Sequence, residues 1–319
     1  MITIAKELVH DAISASMELF KVMIPILIGV KILQELGLIE YLAWPLKPVM
    51  TILGLPAEMG LVWATAMINS IYAGLIVFIS LIQNNPLTTA QATVLATLLL
   101  ICHSLPLESS IARKSGARFL FQCIVRLIGA LVLGWLLNLL YTSTGTLQEP
   151  ATILFQTASL SNTDQTLANW ALNQGKNLLS IFGVILGLLV TMRILHAIKV
   201  IDLMNMILRP ILKIIGIGPK ASAITVIGLT MGLSYGGGLI INEAKNGNID
   251  KKDIFYSLTL MGLCHSLIED SLLLLLIGSN FASIFWGRLL FAIIAMAAIV
   301  QIVQRLPKRL QNTYLWVDK

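Results

Sequence analysis

The sequence predicts an all-α polytopic membrane protein made of two inverted repeats, and three observations carry that reading. First, 57% of the 319 residues are hydrophobic and only 12% are charged, with a mean hydropathy of +0.86. Soluble domains carry about a quarter charged residues. Second, stretches such as "LLSIFGVILGLLVTM" and "LLFAIIAMAAIVQIV" belong to apolar segments of about 20 residues, the length a helix needs to cross hydrocarbon. The polar-apolar alternation of an outer-membrane barrel is missing. Third, "CHSLPLESS" at 102–110 returns as "CHSLIEDSL" at 264–272.

That return belongs to a longer duplication at an offset of 162 residues. Lys31-Ile32-Leu33 meets Arg193-Ile194-Leu195, Lys47-Pro48 meets Arg209-Pro210, and Gly54 meets Gly216. Glu108-Ser109 meets Asp270-Ser271, Gly116 meets Gly278, and Arg126-Leu127 meets Arg288-Leu289. Tyr72 and Gly74 match Tyr235 and Gly237 with a one-residue slip. Matched charges, prolines and glycines in register do not arise by chance among leucine-rich helices. The chain therefore divides into a first repeat (1–145), a polar linker (146–169) and a second repeat (170–319).

Within each repeat the elements follow in order. A long helix (about 13–38 and 177–200) comes first, then an amphipathic, proline-containing interfacial segment (40–55 and 202–217). A glycine-interrupted apolar stretch (57–83 and 220–243) precedes the Cys-His segment (88–112 and 250–276), and a last helix closes the repeat (117–141 and 280–304). Basic residues set the orientation. They cluster at 113–118, 199–220, 245–252 and 305–309, whereas 84–87 and 277–281 carry none. Basic flanks on both sides of 220–243 predict a hairpin that enters and leaves on the cytoplasmic face, and 57–83 then dips in from outside. Three full crossings per repeat invert the second repeat relative to the first. Both termini fall in the cytoplasm of an inner membrane, the linker falls outside, and Lys47 is an exception to the rule. The N-terminus shows no removable signal peptide. Cys102, Cys123 and Cys264 lie in apolar segments and offer no disulfide framework.

The chemistry-bearing residues sit where hydrocarbon should be. Glu108, Glu269 and Asp270 fall in or beside apolar runs, where an ionised group costs several kcal/mol unless paired or hydrated. Arg126 and Arg288 follow Glu108 and Asp270 at equal spacing, so a helical hairpin around Gly116 or Gly278 brings each acid beside its arginine. Structural ion pairing and a ligand or proton role both stand for these groups. His103 and His265, with Ser104 and Ser266 beside them, titrate near neutral pH and are candidate ligand-binding residues. A four-ligand metal site would need Cys102, His103, Cys264 and His265 to converge from both repeats, and no metal site is assigned. The glycine-rich breaks "INSIYAGL" (68–75) and "GLSYGGGLIINE" (232–243) predict unwound backbone, tolerated at membrane depth only where it is buried in protein or lines a cavity. Asn69, Tyr72, Tyr235, Gly236 and Gly237 join the candidate site there. Lys31 and Arg193 read as charges that snorkel or pair with acids.

These motifs, above all His265-Ser266-Leu267-Ile268-Glu269-Asp270 and its degenerate copy from His103 to Glu108, resemble the nucleoside-recognition Gate domain family. That family includes spore maturation proteins A and B, the gate regions of ferrous iron transporter B and part of the concentrative nucleoside transporters. The resemblance implies a transporter or permease for a small polar solute, a nucleoside among the candidates, working by alternating access around a midplane site. A non-transporting scaffold or partner subunit and a divalent metal permease are the alternatives. No enzyme is expected, since phosphate-loop, nucleophile-elbow and zinc-protease motifs are absent, and no cofactor is expected either. The expected partners are a small-molecule solute and the lipid bilayer, not nucleic acid. A coupling proton or Na+ and a homo-oligomer are open expectations.

Overall fold

The computed structural model describes residues 2–154, 167–247 and 249–317, without the side chains of 2–5, 7, 201, 231 and 233–237. Among these residues there are helices and no strands. The first half runs through α1 (Ile2–Glu35), α2 (Ile39–Ala43), α3 (Lys47–Ile52), α4 (Met59–Ile68), α5 (Ile71–Leu81), α6 (Thr89–Ile101), α7 (Leu105–Lys114) and α8 (Phe119–Thr144). The second repeats the order with α9 (Leu167–Ala197), α10 (Val200–Ile214), α11 (Pro219–Met231), α12 (Leu233–Lys245), α13 (Lys251–Cys264), α14 (Glu269–Leu275) and α15 (Arg288–Arg305), then adds α16 (Lys308–Tyr314). A π-helical turn, Ser283–Gly287, leads directly into Arg288.

Six segments of the described residues are long and apolar enough to cross a membrane: 8–35, 89–114, 119–144, 167–197, 251–275 and 283–305. Two of them differ from the rest. Segments 89–114 and 251–275 are 78% and 83% buried within the protein, against 11–33% for the other four. The Cys-His segments are thus the central pair, and α1, α8, α9 and α15 present their leucine and isoleucine faces outward, as lipid-facing helices do.

The glycine-interrupted stretches fold back rather than cross. Helices α4 and α5 have 10 and 11 residues, or about 15 Å each at 1.5 Å per residue, half of the roughly 30 Å of hydrocarbon. They pack against each other so closely that a Cβ on Gly74 would lie 2.6 Å from that of Ala66. The chain turns at Asn69–Ser70, where Ser70 caps α5 by accepting from the Ala73 amide at 3.2 Å. Its counterpart turns at Gly232, whose φ of +93° suits a residue without Cβ. Here the structure corrects the sequence reading: Gly236 and Gly237 lie inside α12, and the break falls earlier, in register with Ser70.

Equivalent backbone torsions mark the duplication throughout. Positive φ recurs at Gly37 and Lys199, Gly54 and Gly216, Ser104 and Ser266, and Gly116 and Gly278. The ends of the halves also interlock. After α8, residues 150–154 lie on the second half's turn, with the Leu154 amide donating to Leu276 O at 2.9 Å. The tail after α15 lies on the first half's turn, where the Arg118 amide donates to Leu315 O and the Val317 amide to Gly116 O, both at 2.9 Å. At one end of the molecule the start of α6 meets the residues after α14, through Asn280 N to Thr93 Oγ1 at 2.8 Å. Toward the other, Gln122 on α8 donates to Thr259 Oγ1 on α13 at 3.0 Å.

Candidate functional site

Each Cys-His segment is broken at its serine. Helix α6 ends at Ile101, and Ser104 takes a left-handed conformation (φ 47°) before α7 starts. Helix α13 ends at Cys264, and Ser266 repeats that φ before α14. A β-carbon in this region costs about 1 kcal/mol or more, so both turns must be held from outside. They are held by the hairpins. Ser104 N donates to Ala66 O at 2.9 Å and its hydroxyl to Asn69 O at 2.8 Å. In the second half, Leu267 N donates to Leu229 O at 2.8 Å. Each bond satisfies a carbonyl in the last turn of the first hairpin arm, one of the acceptors a helix end leaves unpaired.

The arginines hold the turns from the opposite side. Arg126 is buried on α8 and uses the whole guanidinium. Its Nε donates to Ile101 O at 2.8 Å, Nη2 to His103 O at 2.8 Å, and Nη1 to Glu108 Oε2 at 2.5 Å. Arg288 is fully buried and copies one of these roles, its Nη2 donating to His265 O at 3.2 Å, while its Nη1 reaches across the halves to Leu100 O at 3.4 Å. It does not copy the other two. Contrary to the sequence reading, no ion pair joins Asp270 to Arg288 among the described residues, and Arg288 Nε has no hydrogen-bond partner.

Between the turns the two histidines meet. Their rings lie 5.0 Å apart, with Nε2 facing Nε2 at 3.3 Å. Each Nδ1 faces the carbonyl one helical turn back, His103 to Leu99 O at 2.7 Å and His265 to Met261 O at 2.9 Å. A carbonyl only accepts, so Nδ1 carries a proton in each ring, and Nε2 is the nitrogen that a neutral imidazole leaves free to accept. Glu108 Oε1 lies 3.4 Å from His103 Nε2 and 3.3 Å from His265 Nε2. Asp270 Oδ2 lies 3.9 Å from His103 Nε2. Two ring nitrogens and two carboxylate oxygens, drawn from both halves, thus gather around His103 Nε2. His103, His265 and Asp270 offer ligand atoms all within 4.8 Å of one another, with no cysteine sulfur in the group.

The other residues expected at the site are placed unequally. Tyr72 is within electrostatic reach of Glu269 and Asp270, and Glu269 adjoins Asp270 at the start of α14. Ser266 faces the hairpin break, its Oγ 3.9 Å from the point a Cβ on Gly232 would occupy. Asn69 contributes its carbonyl, not its exposed side chain. The side chains of Tyr235, Gly236 and Gly237 lie outside the described residues. Lys31 is elsewhere, paired with Glu35 at 2.5 Å, and Arg193 is exposed on α9. Lys31 and Glu35 help line a pocket of about 650 Å³ with Glu40, Glu58, Asn84 and Trp170, so this pocket does not open on the histidines. The sequence reading missed the serine breaks and the arginine-to-carbonyl bonds. Nothing in residue type announces a left-handed serine, although both fall in the duplicated motif.

Residues 16–117 match the Gate family model, described as nucleoside recognition. Over 258 residues, 81% of each chain, the sequence is 26% identical to the uncharacterized membrane protein YvoD of Bacillus subtilis (strain 168). No solved structure matches. With its six apolar helices, the chain is an all-α polytopic membrane protein.

Proposed function

We propose that this protein is an inner-membrane permease in which two inverted repeats carry a small polar solute past the paired histidines by alternating access. The observation that carries the reading is the meeting of His103 and His265, Nε2 to Nε2 at 3.3 Å, on the two most enclosed membrane segments. Polar groups inside a membrane mark solute or ion pathways, and inverted repeats with broken helices place such sites near the midplane. Inversion is supported by the contacts that bring the start of α6 to the residues after α14. The basic clusters support an orientation with both termini cytoplasmic and the linker outside. The match at 16–117 makes a nucleoside one candidate solute. The histidines and Glu108 are buried within the protein, so a solute would reach them only through a change of conformation.

The test is uptake into liposomes reconstituted with the purified chain, using a panel of nucleosides and divalent cations, with and without a proton gradient. The expected result is protein-dependent uptake of at least one solute, abolished by His265→Ala with thermal unfolding little changed. No uptake above protein-free liposomes across the panel defeats the permease reading. A folded His265→Ala chain that transports at the wild-type rate removes the histidines from the pathway.

A further inference from the structure

We propose that His103 Nε2, His265 Nε2, Glu108 Oε1 and Asp270 Oδ2 bind one divalent transition-metal ion of the Zn2+ class. The proposal rests on the permease reading only in taking that ion as cargo; its binding does not depend on transport.

Three of the four donors already have the spacing of a tetrahedral site. Zn2+ holds imidazole nitrogen and carboxylate oxygen at about 2.0–2.1 Å, and a tetrahedron of that radius has edges of about 3.3–3.4 Å. The triangle of His103 Nε2, His265 Nε2 and Glu108 Oε1 has edges of 3.3, 3.3 and 3.4 Å. It is already one face of such a site. Asp270 Oδ2, 3.9 Å from His103 Nε2 and within 4.8 Å of a ligand atom of His265, is the fourth donor and reaches its vertex by swinging inward.

The donor chemistry agrees. Neutral imidazole nitrogens with carboxylates suit Zn2+ and its first-row neighbours, whereas Mg2+ and Ca2+ prefer all-oxygen shells. Both rings already present the tautomer that a metal on Nε2 requires, because Nδ1–H is committed to a backbone carbonyl at 2.7 and 2.9 Å. Such outer partners fix ring orientation in metal sites. Arg126 does the same for the carboxylate, holding Oε2 at 2.5 Å and turning Oε1 toward the histidines. A cation held by these four atoms would also neutralise the two buried carboxylates, whose charge is costly in a low-dielectric interior. Arg126 and Arg288 offset part of the acids' charge, which favours an ion that exchanges over one locked in permanently. All four ligand side chains are nearly enclosed, Asp270 being the most open at 13%, so exchange requires the hairpins or turns to move.

The experiment uses the full chain purified in detergent without a polyhistidine tag, loaded with Co2+ as the optical probe and Zn2+ as its competitor. Expected are one Co2+ per chain, the intense visible bands of four-coordinate Co2+, and their displacement by one equivalent of Zn2+. His103→Gln and His265→Gln should each weaken binding by more than about 100-fold, beyond the 10–100-fold typical of outer-shell losses. Arg126→Lys should fall within that range. A wild-type chain that binds neither ion, or that shows only the weak bands of six-coordinate Co2+, overturns the proposal and leaves the acceptors sharing a proton. Full binding by a folded double variant, His103→Gln with His265→Gln, also overturns it. Because loading is read at equilibrium without vesicles, a chain that binds Co2+ yet moves nothing refutes the permease reading alone. One that moves nucleosides and binds no metal refutes only the metal.

Discussion

The Glu108–Arg126 pair offers the sharpest energetic test, because its partners are buried and its pseudo-symmetric counterpart is not a pair at all. Arg126→Met removes a guanidinium that is 2% exposed, strands Glu108, and frees the carbonyls of Ile101 and His103. Breaking a buried pair from one side costs about 3–5 kcal/mol. Glu108→Gln strands the arginine less severely. Two carbonyl acceptors at 2.8 Å remain, and the glutamine amide oxygen still accepts from Nη1, so we expect a loss of about 2–3 kcal/mol. The double variant leaves no unpaired charge. Its freed carbonyls are common to Arg126→Met and cancel in the cycle. The coupling energy should therefore reach about 2 kcal/mol, above the roughly 0.6 kcal/mol average of hydrogen-bonded side chains between membrane helices. Reversible unfolding of the four proteins in mixed micelles measures it. Losses that add to within about 0.5 kcal/mol would show that the two groups do not stabilise each other.

Three further outcomes follow from the same geometry. Asp270→Asn and Arg288→Met should be additive to within about 0.5 kcal/mol in the same assay, since no ion pair joins them; a coupling as large as that of Glu108 and Arg126 would contradict the structure. Gly129→Leu should lower stability by about 1–3 kcal/mol or prevent folding, because even a Cβ there would lie 2.6 Å from Leu263 Cδ2 on α13; wild-type stability would mean that α8 and α13 are not so close. Cysteines placed at Glu149 and Lys308 should label from opposite faces of intact cells, the first from outside; labelling of both from one face would exclude the proposed topology.

Much of the fold is legible in the sequence because hydrocarbon leaves the chain few choices: apolar runs become helices, and a duplication repeats their order. The segment expected at 117–141 becomes α8, whereas those at 88–112 and 250–276 are each split, into α6 with α7 and α13 with α14. The triglycine was misread for a physical reason. Glycine weakens a helix by about 1 kcal/mol relative to alanine, but in a membrane an unpaired amide costs more than that, so Gly236 and Gly237 stay helical. The single residue with φ of +93°, Gly232, takes the break instead. The convergence of the histidines was legible only as a consequence of duplication. The proximity of Glu108 Oε1 to both rings, and the separation of Asp270 from Arg288, depend on side-chain reach that no spacing encodes.

The two halves share a backbone but not a charge pattern, and on the permease reading that difference matters. At equivalent positions Glu108 is clamped by Arg126 at 2.5 Å, whereas Asp270 lies 3.9 Å from His103, and Arg288 sends Nη1 to Leu100 O and has no partner at Nε. A buried unpaired guanidinium nitrogen is costly. Aspartate is also one methylene shorter than glutamate, so it cannot span the distance Glu108 spans while both turns keep the same backbone. For Asp270 to reach Arg288, the turn at Ser266 or the arm of α14 has to shift, and Asp270 then withdraws from His103. The first half, with its longer acid, has no equivalent tension. On the permease reading we therefore expect the second half to move more than the first, turning at Gly232 where the first half has a capped Ser70.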